Sequence, residues 1–389
     1  MKTVLLRGPA ITQSGYGIHC RQIAKWLREK EKNGLCSVIT QPLGWGDTSW
    51  ILDRDRFDGI VGWVMSRAMP QQTKCDVSIQ LQLPNEWDPS LANFNVGITA
   101  AVETDKCNPQ WINCCNAMDL VIVPSQHTKR TLEQTGQLTT RVVVVPEAFP
   151  ESFENNETVD IDIGLETSFN FLVFGQLTGN NPENDRKNIF YTLKWLCETF
   201  KDTKDVGIIV KTNSSRNTRI DRNVVKNTLE RLLAEVRPAK QPPIYLVHGD
   251  MNEKEIYSLL KHPSVKALVN LTRGEGFGLP ILEAAVAGLP VIATNWSAHT
   301  EFLNQGKWVQ IDYSLTPIHD TRVDGNIFMK GTRWANPSED NFKRRIKKFY
   351  ESSSIPQQWA SELSEKLKQT HCLKAIFAHY DEVIGDLFR

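Results

Sequence analysis

Short apolar runs alternate with longer amphipathic stretches along the first part of the chain. Residues 3–7 have the length and apolar content of a strand. Residues 17–29 then place Ile18, Ile23, Trp26 and Leu27 near one helical face. Further strands are predicted at 36–40, 77–83, 96–101, 120–123 and 142–145. Residues 125–133 read as a helix with Ser125 as N-cap, because a serine oxygen can accept an unsatisfied amide of the first turn. Strands alternating with helices favour βαβ units and a mainly parallel sheet.

The pattern breaks over 147–167, where Pro146 and Pro150 border a run carrying Glu151, Glu154, Glu157, Asp160, Asp162 and Glu166 and few large apolar residues. That composition suits a linker or domain edge. A second alternating series follows, with strands at 170–174, 206–212, 244–247, 267–271 and 291–294. Helices are predicted at 188–200, 223–235, 254–260 and 281–287, and 357–387 is helical in pattern. The expectation is α/β: a doubly wound parallel-sheet domain over 1–158, a second over 159–356, and C-terminal helices over 357–389. Open α/β sheets bind ligands at the carboxyl ends of their strands, so two such domains would face a central cleft.

Composition narrows the function. The chain has 389 residues, with 45 Lys+Arg against 45 Asp+Glu, so it is no strongly basic nucleic-acid binder. The N-terminal apolar run is too short for a signal peptide, and no segment is apolar enough to span a membrane. A cytoplasmic protein is expected. The eight cysteines show no Cys-x-x-Cys, so neither a metal site nor a disulfide framework is indicated.

The densest chemistry lies at 273–292. Gly274, Gly276 and Gly278 follow a predicted strand and allow close backbone approach to a ligand. Pro280 suits the first helical position, and Gly288 suits the position just past the helix end. A glycine loop feeding a helix N-terminus presents amides to an anion, most naturally phosphate. Glu275 and Glu283, with seven residues between them, would repel phosphate but can accept sugar hydroxyls. Phosphate amides flanked by such carboxylates suggest a nucleotide-sugar.

Glu275-Gly276-Phe277-Gly278-Leu279-Pro280 with Glu283 and Gly288-Leu289-Pro290-Val291-Ile292 resembles the E-x7-E signature of the retaining, GT-B fold glycosyltransferases of family 4, also called group 1. The resemblance implies two Rossmann-like domains and a last helix that crosses back to the first. It implies that Glu283 binds the nucleotide ribose. Glu275, Gly276, Phe277, Gly278 and Leu279 would line the donor sugar and diphosphate, with Glu275 counted as catalytic. Phe174-Gly175-Gln176-Leu177 followed by Asp185-Arg186-Lys187-Asn188 is similar to the family's phosphate loop. Gln176 stands where that loop has arginine, so Lys187 and Arg186 would carry the diphosphate charge. Lys211 and Asn213 would add donor contacts. The loop Gly15-Tyr16-Gly17 matches the family's N-terminal glycine loop. Cys20 in place of a third glycine speaks against a dinucleotide fingerprint. Glu103, after the family-like stretch 97–105, would face the acceptor hydroxyl as hydrogen-bond or proton acceptor.

The resemblance thus implies a metal-independent transfer from a nucleotide-diphospho-sugar to a hydroxyl, with retention at the anomeric carbon. A UDP-sugar is slightly favoured over a GDP-sugar, and no obligatory cofactor is expected. The acceptor stays open between glycan, lipid-linked sugar, small molecule and modified nucleic-acid base. Epimerase or hydrolase activity, or plain nucleotide-sugar binding, are the alternatives. Trp45, Trp50, Trp63 and Trp87 are concentrated in the N-terminal half, as core residues or as an acceptor platform. The basic stretches 201–240 and 343–348 read as solvated helix faces.

Overall fold

The computed structural model describes residues 1–69, 74–101, 103–176, 181–236 and 242–388. The chain divides into two compact units. The first comprises Met1–Ala148, Gly325–Met329 and Leu373–Arg389; the second comprises Phe149–Asp324 and Lys330–Cys372.

The first unit runs β1 (Lys2–Gly8), α1 (Gly15–Lys32), β2 (Cys36–Pro42), α2 (Arg56–Ser66), β3 (Cys75–Leu81), β4 (Ala92–Ile98), α3 (Pro109–Asn116), β5 (Leu120–Val123), α4 (Gln126–Thr135) and β6 (Arg141–Val144). Its sheet is parallel throughout, in the order β2-β1-β3-β4-β5-β6. The strand order turns back between β1 and β3, and that is the switch point where such sheets leave a crevice. Ser14 caps α1 by accepting from Gly17 N at 2.9 Å, and Ser125 caps α4 by accepting from Thr128 N at 3.0 Å. The expected strand at 96–101 instead starts at Ala92 and stops at Ile98. Asn95 is satisfied within the sheet, accepting from Ser78 Oγ, and Ala101 has a φ of 48°, which no strand tolerates. The alternation missed α2, which opens with positive φ at Phe57, Asp58 and Gly59.

The second unit runs β7 (Phe169–Phe174), α5 (Ile189–Thr199), β8 (Val206–Thr212), α6 (Arg219–Val236), β9 (Ile244–His248), α7 (Glu253–Lys261), β10 (Val265–Asn270), α8 (Leu279–Val286), β11 (Val291–Thr294), α9 (His299–Leu303), β12 (Val309–Ile311), β13 (Tyr313–Pro317), β14 (Arg333–Pro337), α10 (Glu339–Glu351) and α11 (Ser354–Thr370). Its parallel sheet has the order β12-β11-β10-β7-β8-β9, so the switch point lies between β10 and β7. β8 is buried along its whole length, which is why Val206–Val210 reads as a continuous apolar run rather than an alternating one, with Lys211 and Thr212 closing the strand. β13 and β14 form an antiparallel hairpin outside that sheet. The basic stretch at 343–348 lies on α10, whose opposite side buries Phe342, Ile346 and Phe349.

The chain leaves the first unit after Ala148, ten residues before the expected junction at 158. Residues 149–159 pack on α7 instead. Phe153 lies 4.8 Å from the ring of Tyr257, Ser152 Oγ donates to Glu253, and Val159 N donates to Ser258 Oγ. Likewise α11 stays with the second unit, where Ser364 Oγ donates to Val286 O at 2.6 Å. Of the expected C-terminal helices, the segment from Leu373, forming α12 (Leu373–Ile384), is the part that joins the first unit. There Trp26 of α1 is fully buried against Tyr380 and Phe388, and its Nε1 donates to Asp381 at 2.9 Å.

Trp26→Ala empties a closed site and is expected to cost about 3–5 kcal/mol in a denaturant unfolding experiment. Ile220→Ser, at a position 75% exposed on α6, should change stability by less than about 0.5 kcal/mol.

Candidate functional site

The loop joining β10 to α8 runs along the carboxyl edge of the second sheet, directly at its switch point. It is fixed from several sides. Glu275 N donates to Ser297 Oγ at 2.9 Å, and Ala298 N donates to Glu275 O. Thr272 Oγ1 donates to Gly274 O, and Arg186 Nη1 reaches the same carbonyl at 3.2 Å. Gly278 takes φ 102° as the N-cap of α8, a conformation that side chains resist. A Cβ there would also stand 3.1 Å from His299 Cβ. α8 starts at Leu279, so Pro280 is its second residue rather than the first, and Gly288, with φ 74°, follows its end as expected.

The loop that follows β7 approaches from the other side of the switch point. Lys187 Nζ donates to both oxygens of the buried Glu275, at 2.6 and 2.9 Å. Arg186 Nη1 lies 3.6 Å from the same carboxylate. Burial would raise the Glu275 pKa, but the charges of Lys187 and Arg186 outweigh it and hold the carboxyl below its usual range. Three candidates from distant parts of the sequence therefore form one charged cluster. Gln176 is exposed; 177–180 lie outside the described residues.

Glu283 is different. It is buried on α8, where its backbone carbonyl accepts from Ala287 N and its carboxylate has no hydrogen-bond or ion-pair partner among the described residues. Burial first, and then the like charge of Glu253, push its pKa up to about 8. Such a carboxylate carries a desolvation cost that a ligand with paired hydroxyls would relieve.

The remaining candidates fall in several places. Phe277 is buried against Phe302 and His371, with ring centroids 5.4 and 6.4 Å away, so its side chain serves packing and only its backbone borders the loop surface. Gly276 and Leu279 are buried beside it. Lys211 is also buried, and its ammonium donates to Asn213 Oδ1 at 2.7 Å and Gly249 O at 2.6 Å. Burial lowers its pKa to about 8. Gly15, Tyr16, Gly17 and Glu103 belong to the first unit. A Cβ on Gly17 would sit 2.4 Å from Thr12 O, so only glycine fits. Tyr16 stacks on Trp45, and its hydroxyl accepts from Ala100 N at 3.0 Å. Glu103 is half-buried after β4.

Sequence reasoning missed Ser297, His299 and Arg273. Ser297 takes φ 83° and supports Glu275; buried His299 bonds to Thr294 O at 2.7 Å and faces Ser297 Oγ at 3.3 Å. Both follow β11, the neighbour of β10, at the same sheet edge. Only strand order could have pointed to them. Arg273 is buried over Trp334, and its Nη1 donates to Asn336 on β14 at 3.0 Å. No group of three or more His, Cys, Asp or Glu side chains among the described residues is arranged to hold a metal ion.

Residues 227–366 match the family described as glycosyl transferases group 1. That span includes both Glu275 and Glu283. Over 164 residues the chain is 25% identical to a probable sucrose-phosphate synthase of Thermosipho melanesiensis, which covers 42% of this chain. The aligned stretch spans 35% of that relative. Among solved structures, Anabaena HepE in complex with UDP and glucose is similar over 99% of this chain and 100% of its own, with TM-score 0.63 and 15% identity. The sucrose-phosphate synthase of Thermosynechococcus elongatus is similar over 100% of this chain and 99% of its own, with TM-score 0.64 and 11% identity. At such identities the likeness is one of fold, and the fold class is α/β of the GT-B type. No helix among the described residues is long and apolar enough to cross a membrane.

Two expectations follow from the charges. Lys187→Ala should destabilise the protein by roughly 3 kcal/mol, because it removes the main partner of a buried carboxylate. Adding Glu275→Ala should recover part of that loss in a double-mutant cycle of unfolding free energies. For Glu283 the folded-state pKa exceeds the unfolded one. Its contribution to stability is therefore full below about pH 4.5 and is lost as pH rises through about 8. Glu283→Gln should flatten that part of the stability–pH curve.

Proposed function

We propose that the protein is a glycosyltransferase that moves a sugar from a UDP-sugar to an acceptor hydroxyl, retaining the anomeric configuration. The observation that carries this reading is Glu283: a buried carboxylate without a partner among the described residues, on the helix that follows a glycine loop, inside the span matched by the family. In this reading the two ribose hydroxyls donate to Glu283. Lys187 and Arg186 meet the diphosphate, and the backbone of 276–279 borders it. Glu275, held in place by Ser297 and the two cations, faces the donor sugar. UDP is preferred to GDP; HepE was solved with UDP and with UDP-glucose, which supports that choice.

The step needs no protein nucleophile. The bond between the anomeric carbon and the β-phosphate oxygen breaks, and the electron pair leaves with the diphosphate. The acceptor oxygen forms the new bond on the same face, and its proton passes to the departing phosphate oxygen. Lys187 and Arg186 stabilise the charge that develops there. Glu103 is assigned to the acceptor, as the group that accepts a hydrogen bond from its hydroxyl. The reading includes a metal-independent reaction and a cytoplasmic location. Epimerisation or hydrolysis would consume donor without any acceptor, and plain binding would consume none.

Isothermal titration with UDP, UDP-glucose, GDP and GDP-mannose tests the donor assignment. UDP and UDP-glucose are expected to bind, and Glu283→Ala should weaken both at least tenfold, about 1.4 kcal/mol. Because the hydroxyl-accepting form is the ionised one, affinity should strengthen as pH rises through about 8 in the wild type but not in Glu283→Gln. UDP bound equally by Glu283→Ala would falsify the ribose assignment.

A further inference from the structure

In the first unit, the loops after β1 and β2 are zipped together at the carboxyl edge of the sheet. Thr12 and Trp50 form an antiparallel bridge, Gln13 N donates to Ser49 O at 3.1 Å, and Ile51 N donates to Ile11 O at 2.8 Å. Ile51 is 5% exposed and anchors the loop in the core, yet the adjacent Trp50 is 51% exposed. Nothing about the backbone demands this. A tryptophan fixed by its main chain on a core-anchored loop and left half in water presents a large apolar face at a permanent hydration cost.

The surroundings are aromatic and polar at once. Trp45, on the same loop, stacks on Tyr16 with ring centroids 4.0 Å apart and planes 18° from parallel. Tyr16 is held there by Ala100 N and Thr99 Oγ1, both at the end of β4. Thr48 Oγ1 closes the turn onto Trp45 O at 2.6 Å. Between the two tryptophan positions, Ser49 Oγ is buried and has no hydrogen-bond partner among the described residues. An orphaned buried hydroxyl beside exposed aromatic surface suits a flat ligand that is apolar on its face and hydroxylated at its edge.

We infer that Trp50, with Trp45 and Ser49, forms a carbohydrate-binding platform on the first unit, and that the acceptor is therefore a sugar. This inference rests on the glycosyltransferase reading for the word acceptor, but the platform itself does not. A pyranose offers axial C–H groups to an indole face and hydroxyls at its rim. An aliphatic lipid chain would leave Ser49 Oγ unsatisfied. A nucleobase would stack equally well and is the competitor that the test must separate.

The test is ligand binding to the full chain, read by saturation-transfer NMR and by tryptophan fluorescence. The probes are maltose, cellobiose, methyl α-mannoside, uridine, adenosine and UDP. At least one of the three sugars should bind in the millimolar range. Trp50→Ala should weaken that binding at least tenfold. Ser49→Ala should weaken it less. Leu52→Ala, an exposed neighbour outside the platform, should leave it unchanged, which separates aromatic stacking from general damage to the loop. The inference is overturned if no sugar binds, if Trp50→Ala binds sugars as the wild type does, or if the nucleosides depend on Trp50 and the sugars do not. Sugar binding without any UDP binding would leave the platform standing and remove the donor assignment instead.

Discussion

The buried contact between Lys187 and Glu275 organises the second unit's site. Its two ends come from loops 88 residues apart in sequence, and they meet because β7 and β10 are neighbours at the point where the strand order reverses. A carboxylate as buried as Glu275 is tolerable in ionised form only with compensating charge. Lys187 and Arg186 supply it, and through Gly274 O the arginine also fixes the path of the glycine loop. The loop in turn sets the start of α8, and thus the position of Glu283. Ser297, just past β11, and Asn336 of β14, which accepts from Arg273, reinforce the same segment.

The two carboxylates of the motif are thus physically unlike. Glu275 is paired and held ionised; Glu283 has a carboxylate without a partner among the described residues, and burial pushes its pKa up to about 8. Equal spacing in a sequence motif conceals this. Lys187 and Arg186, read as phosphate-binding side chains, already have a carboxylate partner in the structure. A diphosphate would have to share them with Glu275, so donor binding and the internal ion pair compete for the same cations. Gln176, exposed where the resembled family has an arginine, adds no charge to relieve that competition.

In the first unit, the residues that follow β1 are held by packing and by hydrogen bonds within the unit. Tyr16 is committed to Trp45, Thr99 and Ala100, and Gly17 is a packing necessity against Thr12 O. The turn between β1 and α1 therefore requires a glycine at 17, whereas a Cβ at Gly15 would meet nothing. Buried His19 and Glu147 lie beside Tyr380 of α12, where Gln22 also clamps Ala148 through both its amide atoms. Desolvation explains the shifts there, lowering His19 to about 3 and raising Glu147 to about 8. The pair is consequently close to neutral, and the contact with α12 rests on packing and hydrogen bonds.

Local pattern by itself determined much of this protein. Strand and helix periodicity, the Ser14-to-Gly17 turn, the cap at Ser125 and the Gly278–Gly288 frame of α8 follow from residue chemistry acting over a few positions. So did the α/β class and the presence of a glycine loop with two carboxylates. Tertiary structure alone decided which strands neighbour each other, and from that came the Lys187–Glu275 pair, the isolation of Glu283 and the support from Ser297. It also turned Phe277 and Lys211 inward and brought residues 149–159 onto α7. The β13–β14 hairpin and the left-handed start of α2 lay outside any simple periodicity. The reason is range. Propensity and capping act within a turn or two of chain, whereas ion pairing and desolvation depend on groups that meet only after the sheet has assembled.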